Sequence, residues 1–421
     1  MNIWMINQFA GTPDMPGSER SYLFSRTFAE MGNHVTLWTS SYSHWGKIET
    51  IEDNVPYIIK NEGNLDIIYL KNRPIYYRND HRRFLNMINF AYVLSKISKD
   101  IKPSPDVIIA SYPSPFAAVA ANRLAVRYNA RFALEIRDLW PQVWVERKAF
   151  SRYHPFIIIL YALEKYLYKR TRIFIEALPY ISDYLKERGV KPQKISWIPN
   201  GINLEDFKIV EHDPSYDEVN NICNFMNAER EKGKMVVVYV GSFGVGNRVD
   251  CILKAANVLK DKDENGISFV MIGEGHAKKE LIEYVSDNKL DSVRIWPAIS
   301  RKIVPKVLSC ADVGILCLHD NPIYRYGVNL HKVYDYMAAG LPIVFSAKVR
   351  NNLVESSRAG ITVPPGSSVE IASALQKFKS MTTDERILMG KRGYEVIAKN
   401  YNVKFLAEKF LDIVSGNGCN N

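Results

Sequence analysis

The sequence predicts an α/β protein built from two doubly wound, parallel-sheet domains in series. Three observations predict it. The chain opens on a strand–helix–strand unit (Met1 to about Thr39), and that connection closes naturally only as a parallel pair. The same grammar restarts near residue 235 with Met-Val-Val-Val-Tyr-Val. The length of 421 residues suits two domains of roughly 200 each.

Each element follows from its local pattern. Met1 to Asn7 is apolar and runs into a polar, glycine-bearing loop, Gln8 to Glu19. From Arg20 to Met31, Leu23, Phe24, Phe28 and Met31 recur at helical spacing, and Gly32-Asn33 ends the helix before the strand His34 to Thr39. Further strands are expected at Asp66–Leu70, Asp106–Ala110 and Arg131–Ile136, with helices at 82–99 and 115–128. In the second half Met235–Val240 has the β-branched run of a strand buried on both faces. A loop with three glycines, Gly241 to Asn247, and a helix at 249–260 follow it. Strands are then expected at Ser268–Ile272, Val293–Trp296, Val313–Leu316 and Pro342–Val344. The stretch Ala177 to Asn200, with Pro179, Pro192 and Pro199, is read as the boundary. The expected domains are therefore 1–180 and 198–400, with a terminal helix at about 403–421 packing back on the first. Residues 211–234 are read as a polar loop, and the last 40 residues as helices 383–399 and 403–415 followed by a polar tail.

Composition narrows the function. With 47% hydrophobic residues there is material for two cores, but no apolar run approaches the roughly 20 residues of a membrane span. Phe156 to Leu163 is broken by Glu164 and is expected to form a buried helix face. The N-terminus enters a strand at once, without the basic region or cleavage site of a signal peptide. Five cysteines lie scattered without metal-ligand spacing, the usage of reduced thiols in a cytoplasm, and no metal site is expected. Residues 1–200 carry 27 Lys and Arg against 18 Asp and Glu, whereas residues 201–421 carry 28 against 27. The first half therefore suits an anionic partner: nucleic acid, anionic lipid headgroups or a phosphorylated acceptor. No helix-turn-helix, RRM or zinc pattern accompanies the charge, which argues against nucleic acid.

Ligands of open parallel sheets bind beyond the carboxyl ends of the strands. Two small-residue loops occupy that position, Gly17-Ser18 in the first half and Gly241-Ser242 in the second. Such loops let backbone N–H groups approach a diphosphate, although a tight βα turn has the same composition. Lys332 and Asp335 lie three apart on one face of a helix expected to begin near Asn329-Leu330. A lysine near a helix start opposes the dipole and calls for an anion, while Asp335 can accept hydrogen bonds from ribose hydroxyls. A plain surface Lys–Asp pair would have the same spacing.

Four stretches together carry a family likeness: Gly17-Ser18-Glu19-Arg20; Glu135-Ile-Arg-Asp-Leu-Trp-Pro141; Ile198-Pro-Asn-Gly-Ile-Asn203 with Phe207; and His331-Lys332-Val-Tyr-Asp335-Tyr-Met-Ala-Ala-Gly340-Leu-Pro342. In this order they resemble glycosyltransferase family 4, the retaining transferases of GT-B fold, especially those of O-antigen, capsule and exopolysaccharide assembly. The resemblance runs from Ile3 to about Phe410. It implies two Rossmann-like domains facing a central cleft and a nucleotide-sugar donor, by default UDP-linked. It implies no cofactor and no metal. Asp335 falls where the family's second motif acid holds the donor ribose; the first acid's position is Gly327, so that carboxylate is missing. Lys332, Gly241 and Ser242 would hold the diphosphate, with Arg248 standing in for the loop's usual basic residue. Gly273-Glu274-Gly275 and the turn at Ile299 would line the base pocket, and Asp138 would stand beside the sugar and acceptor. Retention in the family is thought to use front-face attack, so no histidine is nominated as a base.

The resemblance also implies an acceptor, lipid-linked or saccharide, on the first domain. Lys71, Arg73, Arg78, Arg82, Arg83, Lys96, Lys99 and Lys102 are interleaved with Tyr76, Tyr77, Phe84 and Phe90, which suits an anionic membrane interface. The expectation is thus a cytoplasmic enzyme bound peripherally to the inner membrane face. Two rivals share the fold: a nucleotide-sugar 2-epimerase, and a non-catalytic nucleotide-sugar-binding protein.

Overall fold

The computed structural model describes residues 1–52, 54–78, 80–208, 219–262 and 264–416. It divides into two compact units, one comprising Met1–Gly201 and the terminal segment from Val403, the other Ile202–Asn402. Each carries one sheet.

The first sheet has eight strands: β1 (Asn2–Ile6), β2 (His34–Ser40), β3 (Tyr57–Glu62), β4 (Leu65–Leu70), β5 (Val107–Tyr112), β6 (Arg131–Ile136), β7 (Ile173–Glu176) and β8 (Ile195–Trp197). Their order is β3-β4-β2-β1-β5-β6-β7-β8. All pairs are parallel except β3–β4, a hairpin whose two-residue loop, Gly63-Asn64, starts with Gly63 at φ +69°. The order reverses beside β1, so the loops after β1 and β5 flank the topological switch point. The helix Arg20–Glu30 buries Phe24 and Phe28 on one face of this sheet. Both rings pack on Phe410 of the terminal helix Val403–Ser415, at 5.4 and 5.5 Å between centroids. That helix adds Leu406, Ala407 and Val414 to the first core.

The second sheet is wholly parallel. Its strands β9 (Met235–Val240), β10 (Ile267–Ile272), β11 (Val293–Trp296), β12 (Val313–Cys317), β13 (Ile343–Ser346) and β14 (Gly360–Val363) lie in the order β11-β10-β9-β12-β13-β14. This is the 3-2-1-4-5-6 order of a dinucleotide-type sheet, with its switch point between β9 and β12. The continuous apolar run of β9 and the Phe-Val-Met-Ile run of β10 are buried, as expected of parallel strands covered on both faces.

Three sequence expectations need correction. The stretch 211–234, read as a polar loop, contains a helix, Asn220–Glu231; residues 211–218 lie outside the described residues. Ile222, Cys223 and Met226 bury one stripe of it in the second core, too sparse a signal among Asn and Glu to stand out. Phe156–Leu163 is not wholly buried. In the helix Pro155–Arg170, Ile157 and Leu160 face the core while Ile158 and Ile159 stand 53% and 54% exposed. Strand β3 was missed because it is a half-polar edge strand with Ile58 and Ile59 in solvent. Among the described residues no helix is long and apolar enough to cross a membrane.

Candidate active site

In the second unit the chain leaves β9 at the switch point through Gly241 and Ser242. Lys332, on the first turn of the helix His331–Ala338, reaches across to that loop. A Cβ on Gly241 would lie 2.9 Å from the Lys332 Nζ, so only glycine lets the two approach. The ammonium donates to Asn247 Oδ1 at 2.8 Å and to the Tyr239 hydroxyl at 3.1 Å. Asn247 in turn donates from Nδ2 to the Ser242 carbonyl and hydroxyl, both at 2.8 Å. Burial pushes the Lys332 pKa down to about 8, only partly opposed by Asp335 and Cys317. A lysine of lowered pKa held at a glycine turn is poised for an anion.

The helix bearing Lys332 is pinned to the sheet by its neighbour Tyr336. The Tyr336 hydroxyl accepts the Val240 N–H at 2.8 Å, and the ring fills space that a side chain at Gly314 would occupy. Asp335 is buried, with both carboxylate oxygens bonded to the Arg301 guanidinium. Burial raises the Asp335 pKa against the pull of Arg301 and Lys332. Asn329 accepts from the Tyr334 hydroxyl at 2.7 Å, and Leu330 stands at the N-cap position without a side-chain cap bond.

The loop after β10 packs directly against the Gly241 loop. A Cβ on Gly273 would strike the Gly241 carbonyl oxygen, and one on Gly275 would lie 2.5 Å from the Phe243 carbonyl oxygen. Phe243 N–H bonds to the Glu274 carbonyl at 2.8 Å, while the exposed Glu274 carboxylate pairs with Lys278. Ile299 packs half-buried on the second core, two residues before Arg301. Arg248 lies apart from Lys332 in bonding: its guanidinium is taken by Asp250 at 2.9 and 3.1 Å and lies beside Gly366. Gly327 sits at φ +89°, ψ 174°, a backbone region almost exclusive to glycine.

In the first unit, Gly17 closes its own loop. A Cβ there would lie 2.5 Å from the Gly11 nitrogen, and Gly11 N–H bonds to the Ser18 carbonyl at 3.0 Å. The Ser18 hydroxyl accepts from Arg137, which also donates to Ser111 Oγ at 3.4 Å. Asp138, next along, accepts the Leu139 N–H at 2.8 Å, and burial raises its pKa. Beneath this loop lies a buried ion pair, Arg20 Nε to Glu135 Oε1 at 2.8 Å, with both side chains 0% exposed. Arg20 also donates to the Ile198 carbonyl at 2.8 Å and to that of Pro199. One guanidinium thus ties together three of the stretches singled out in the sequence.

The structure therefore brings Lys332, Gly241, Ser242 and Gly273–Gly275 together, sets Asp335 against Arg301, and turns Arg248 to Asp250. Sequence reasoning assigned no role to Tyr239, Asn247, Arg301 or Arg137, although Tyr239, Asn247 and Arg137 lay within quoted stretches.

Residues 18–206 match the model described as Glycosyltransferase Family 4, and residues 234–380 that described as Glycosyl transferases group 1. The Pseudomonas aeruginosa protein named Probable glycosyltransferase WbjE is 20% identical over 310 residues, 72% of this chain and 73% of that protein. The Escherichia coli UDP-Gal:alpha-D-GlcNAc-diphosphoundecaprenol alpha-1,3-galactosyltransferase is 26% identical over 234 residues, covering 54% of this chain and 56% of that enzyme. Among solved structures, sucrose-phosphate synthase from Thermosynechococcus elongatus superposes with a TM-score of 0.74 at 17% identity, over 99% of this chain and 98% of the other. Anabaena HepE in complex with UDP-glucose gives 0.68 at 14% identity, over 99% and 100%. At such identities the two structures speak for the fold, which is GT-B. The two models between them span most of the chain, and the protein belongs to the group 1, family 4 glycosyltransferases.

Proposed function

We propose that the enzyme transfers a hexose or N-acetylhexosamine, with retention, from a UDP-linked donor to a lipid-linked or saccharide acceptor in cell-surface polysaccharide biosynthesis. The observation that carries this reading is Lys332 against Gly241: a half-buried ammonium held over a glycine turn at the switch point of a dinucleotide-type sheet. The names of similar proteins support it. The Escherichia coli relative is named for a UDP-linked donor and a diphosphoundecaprenol acceptor, and the Anabaena structure holds UDP-glucose.

The chemistry then follows. Breaking the bond between the sugar C1 and the diphosphate leaves negative charge on the phosphate oxygen. Lys332 and the N–H groups of the Gly241 loop stabilise that charge more than they stabilise the intact donor. The acceptor hydroxyl bonds to C1 on the face the phosphate leaves, and its proton passes to the departing phosphate, so no separate base is required. Asp335 takes ribose hydroxyls, Ile299 and Gly273–Gly275 line the base, and Asp138 stands with the acceptor. Exposed Leu85, Ile88 and Tyr92 beside exposed Arg82 and Lys96 support a peripheral place on the inner membrane face.

Calorimetric titration with UDP and GDP, with EDTA present, tests the reading. UDP is expected to bind, and Lys332→Ala and Asp335→Ala are each expected to weaken it about tenfold or more. Failure of both nucleotides to bind the wild-type chain would overturn it.

A further inference from the structure

The second unit brings two thiols together away from Lys332. Cys223 lies on the buried stripe of the helix Asn220–Glu231, beside Ile222 and Met226. Cys310 stands at the C-cap of the short helix Val304–Ser309. The last carbonyls of a helix lack helical donors, and here side chains gather on that of Lys306. The Ser309 hydroxyl donates to it at 2.7 Å, the Cys310 Sγ lies 3.4 Å from it and the Cys223 Sγ 3.9 Å. The two thiols also share a hydrogen bond with each other. Arg230, on the helix of Cys223, fixes the two segments in place. It donates to the Ala311 carbonyl at 2.9 Å and to the Asp312 carboxylate at 2.9 and 3.1 Å.

This pair differs from ordinary core cysteines in exposure and in charge. Cys310 and Cys223 keep 8% and 5% exposure, whereas Cys251 and Cys317 keep 0% and 2%. The hydrogen bond from Cys223 lowers the Cys310 pKa against the effect of burial, and Ser309, Lys306 and Arg230 act in the same direction. That bond, with burial, raises the Cys223 pKa. The nearby Asp312 carboxylate is taken by Arg230 and by the Val236 N–H at 2.7 Å. Burial raises the pKa of Cys251 and of Cys317. One thiol of the pair is thus set to ionise and its neighbour to keep its proton. That is the division of labour between an attacking and a resolving cysteine.

We infer that Cys223 and Cys310 form an oxidisable pair that closes to a disulfide when the protein meets a hydroperoxide. The Cys310 thiolate attacks one peroxide oxygen. The O–O bond breaks, a sulfenic acid forms on Cys310, and the leaving hydroxide takes a proton to become water. The Cys223 sulfur then bonds to the Cys310 sulfur, its proton passes to the departing hydroxyl, and a second water leaves. Both sulfurs are oxidised and the peroxide is reduced. The crosslink joins the helix Asn220–Glu231 to the end of the helix Val304–Ser309. That helix follows directly on the turn Arg301–Ile303, whose Arg301 grips Asp335. The pair lies wholly in the second unit, and its chemistry does not depend on sugar transfer.

The test treats the full chain, in a Cys419→Ser background, with hydrogen peroxide at pH 7 and maps the thiols by alkylation and peptide mass spectrometry. A linked Cys223–Cys310 peptide is expected, reversed by dithiothreitol. It should form at least about tenfold faster than Cys251 or Cys317 is consumed. The oxidised protein is expected to melt about 5 °C or more above the reduced protein. Cys223→Ser should leave a sulfenic acid on Cys310 that dimedone traps, while Cys310→Ser should leave Cys223 unlabelled. The linked peptide needs neither of these substitutions, so it decides the case should a serine variant fail to fold. Folded protein that keeps both thiols, a link formed only in urea, or a link to another cysteine would overturn the inference. So would an oxidised protein that melts lower than the reduced one, because the two helices would then have to move apart from their packing to be joined.

Discussion

Arg301 grips Asp335 with two guanidinium nitrogens, one to each carboxylate oxygen, but the partners are unequally placed. The Asp335 side chain is 3% exposed and that of Arg301 42%. Arg301→Ala strands a carboxylate in the interior and is expected to cost about 2–3 kcal/mol of stability. Asp335→Ala releases a guanidinium that can turn to water, and is expected to cost about 1 kcal/mol. Urea unfolding of the two variants measures the difference. Equal losses would mean that Asp335 is solvated more than its burial indicates.

Lys332 sets a pH dependence. Its pKa is lowered to about 8 in the free enzyme, and only the ammonium form pairs with a diphosphate. Donor binding should therefore raise that pKa and take up a proton above pH 8. Affinity for a UDP-sugar, whose diphosphate stays ionised throughout, is expected to be flat up to about pH 7 and to fall through pH 8–9. Lys332→Arg, charged over the whole range, is expected to remove the fall. A wild-type profile that stays level to pH 9 would contradict the assignment of Lys332 to the phosphate.

Gly327, at the position of the missing motif acid, is held in a backbone conformation that other residues avoid. Restoring a carboxylate by Gly327→Glu is expected to cost about 1–3 kcal/mol without raising the transfer rate. Gly327→Ala should cost the same, because the cost lies in the backbone. Thermal melting of both variants checks this. A stable, faster Gly327→Glu enzyme would show that the loop tolerates the usual acid.

How much of this was readable follows from the distances involved. Strand β9 announced itself as an unbroken apolar run, and the Arg20–Glu30 helix by the spacing of its buried aromatics. β7 and β8, of four and three residues, and the polar edge strand β3 carry too little pattern to be seen alone. The Lys332–Asp335 spacing was legible because both lie on one helix. Their partners were not: Asn247 is 85 residues from Lys332, Arg301 is 34 from Asp335, and Arg137 is 119 from Ser18. The motif around Glu135 looked functional in sequence, yet part of its content is the buried pair with Arg20, 115 residues away. Breaking such a pair from one side typically costs about 3–5 kcal/mol, so fold as well as chemistry accounts for those residues.

The membrane placement rests on one helix face. Leu85, Ile88 and Tyr92, at i, i+3 and i+7 of His81–Ile97, are 50%, 46% and 64% exposed. The neighbouring helix Pro155–Arg170 offers exposed Ile158 and Ile159, and Phe84 meets Phe156 at 4.3 Å where the two helices begin. Exposed Arg82 and Lys96 lie on the same helix as the first of these faces, and exposed Arg73, Arg78 and Lys99 flank it in sequence. Each basic residue near an anionic surface contributes roughly 1 kcal/mol, and salt screens it, so the apolar contacts must supply what persists at high salt. Co-sedimentation with phosphatidylglycerol-containing vesicles is therefore expected at low salt and to weaken steeply towards about 0.5 M. The double variant Leu85→Glu/Ile88→Glu, at positions already in water, should keep its melting temperature and lose most of the pelleted fraction. Wild-type protein that stays in the supernatant at low salt would refute the placement. A double variant that pellets like the wild type would move the contact to another face.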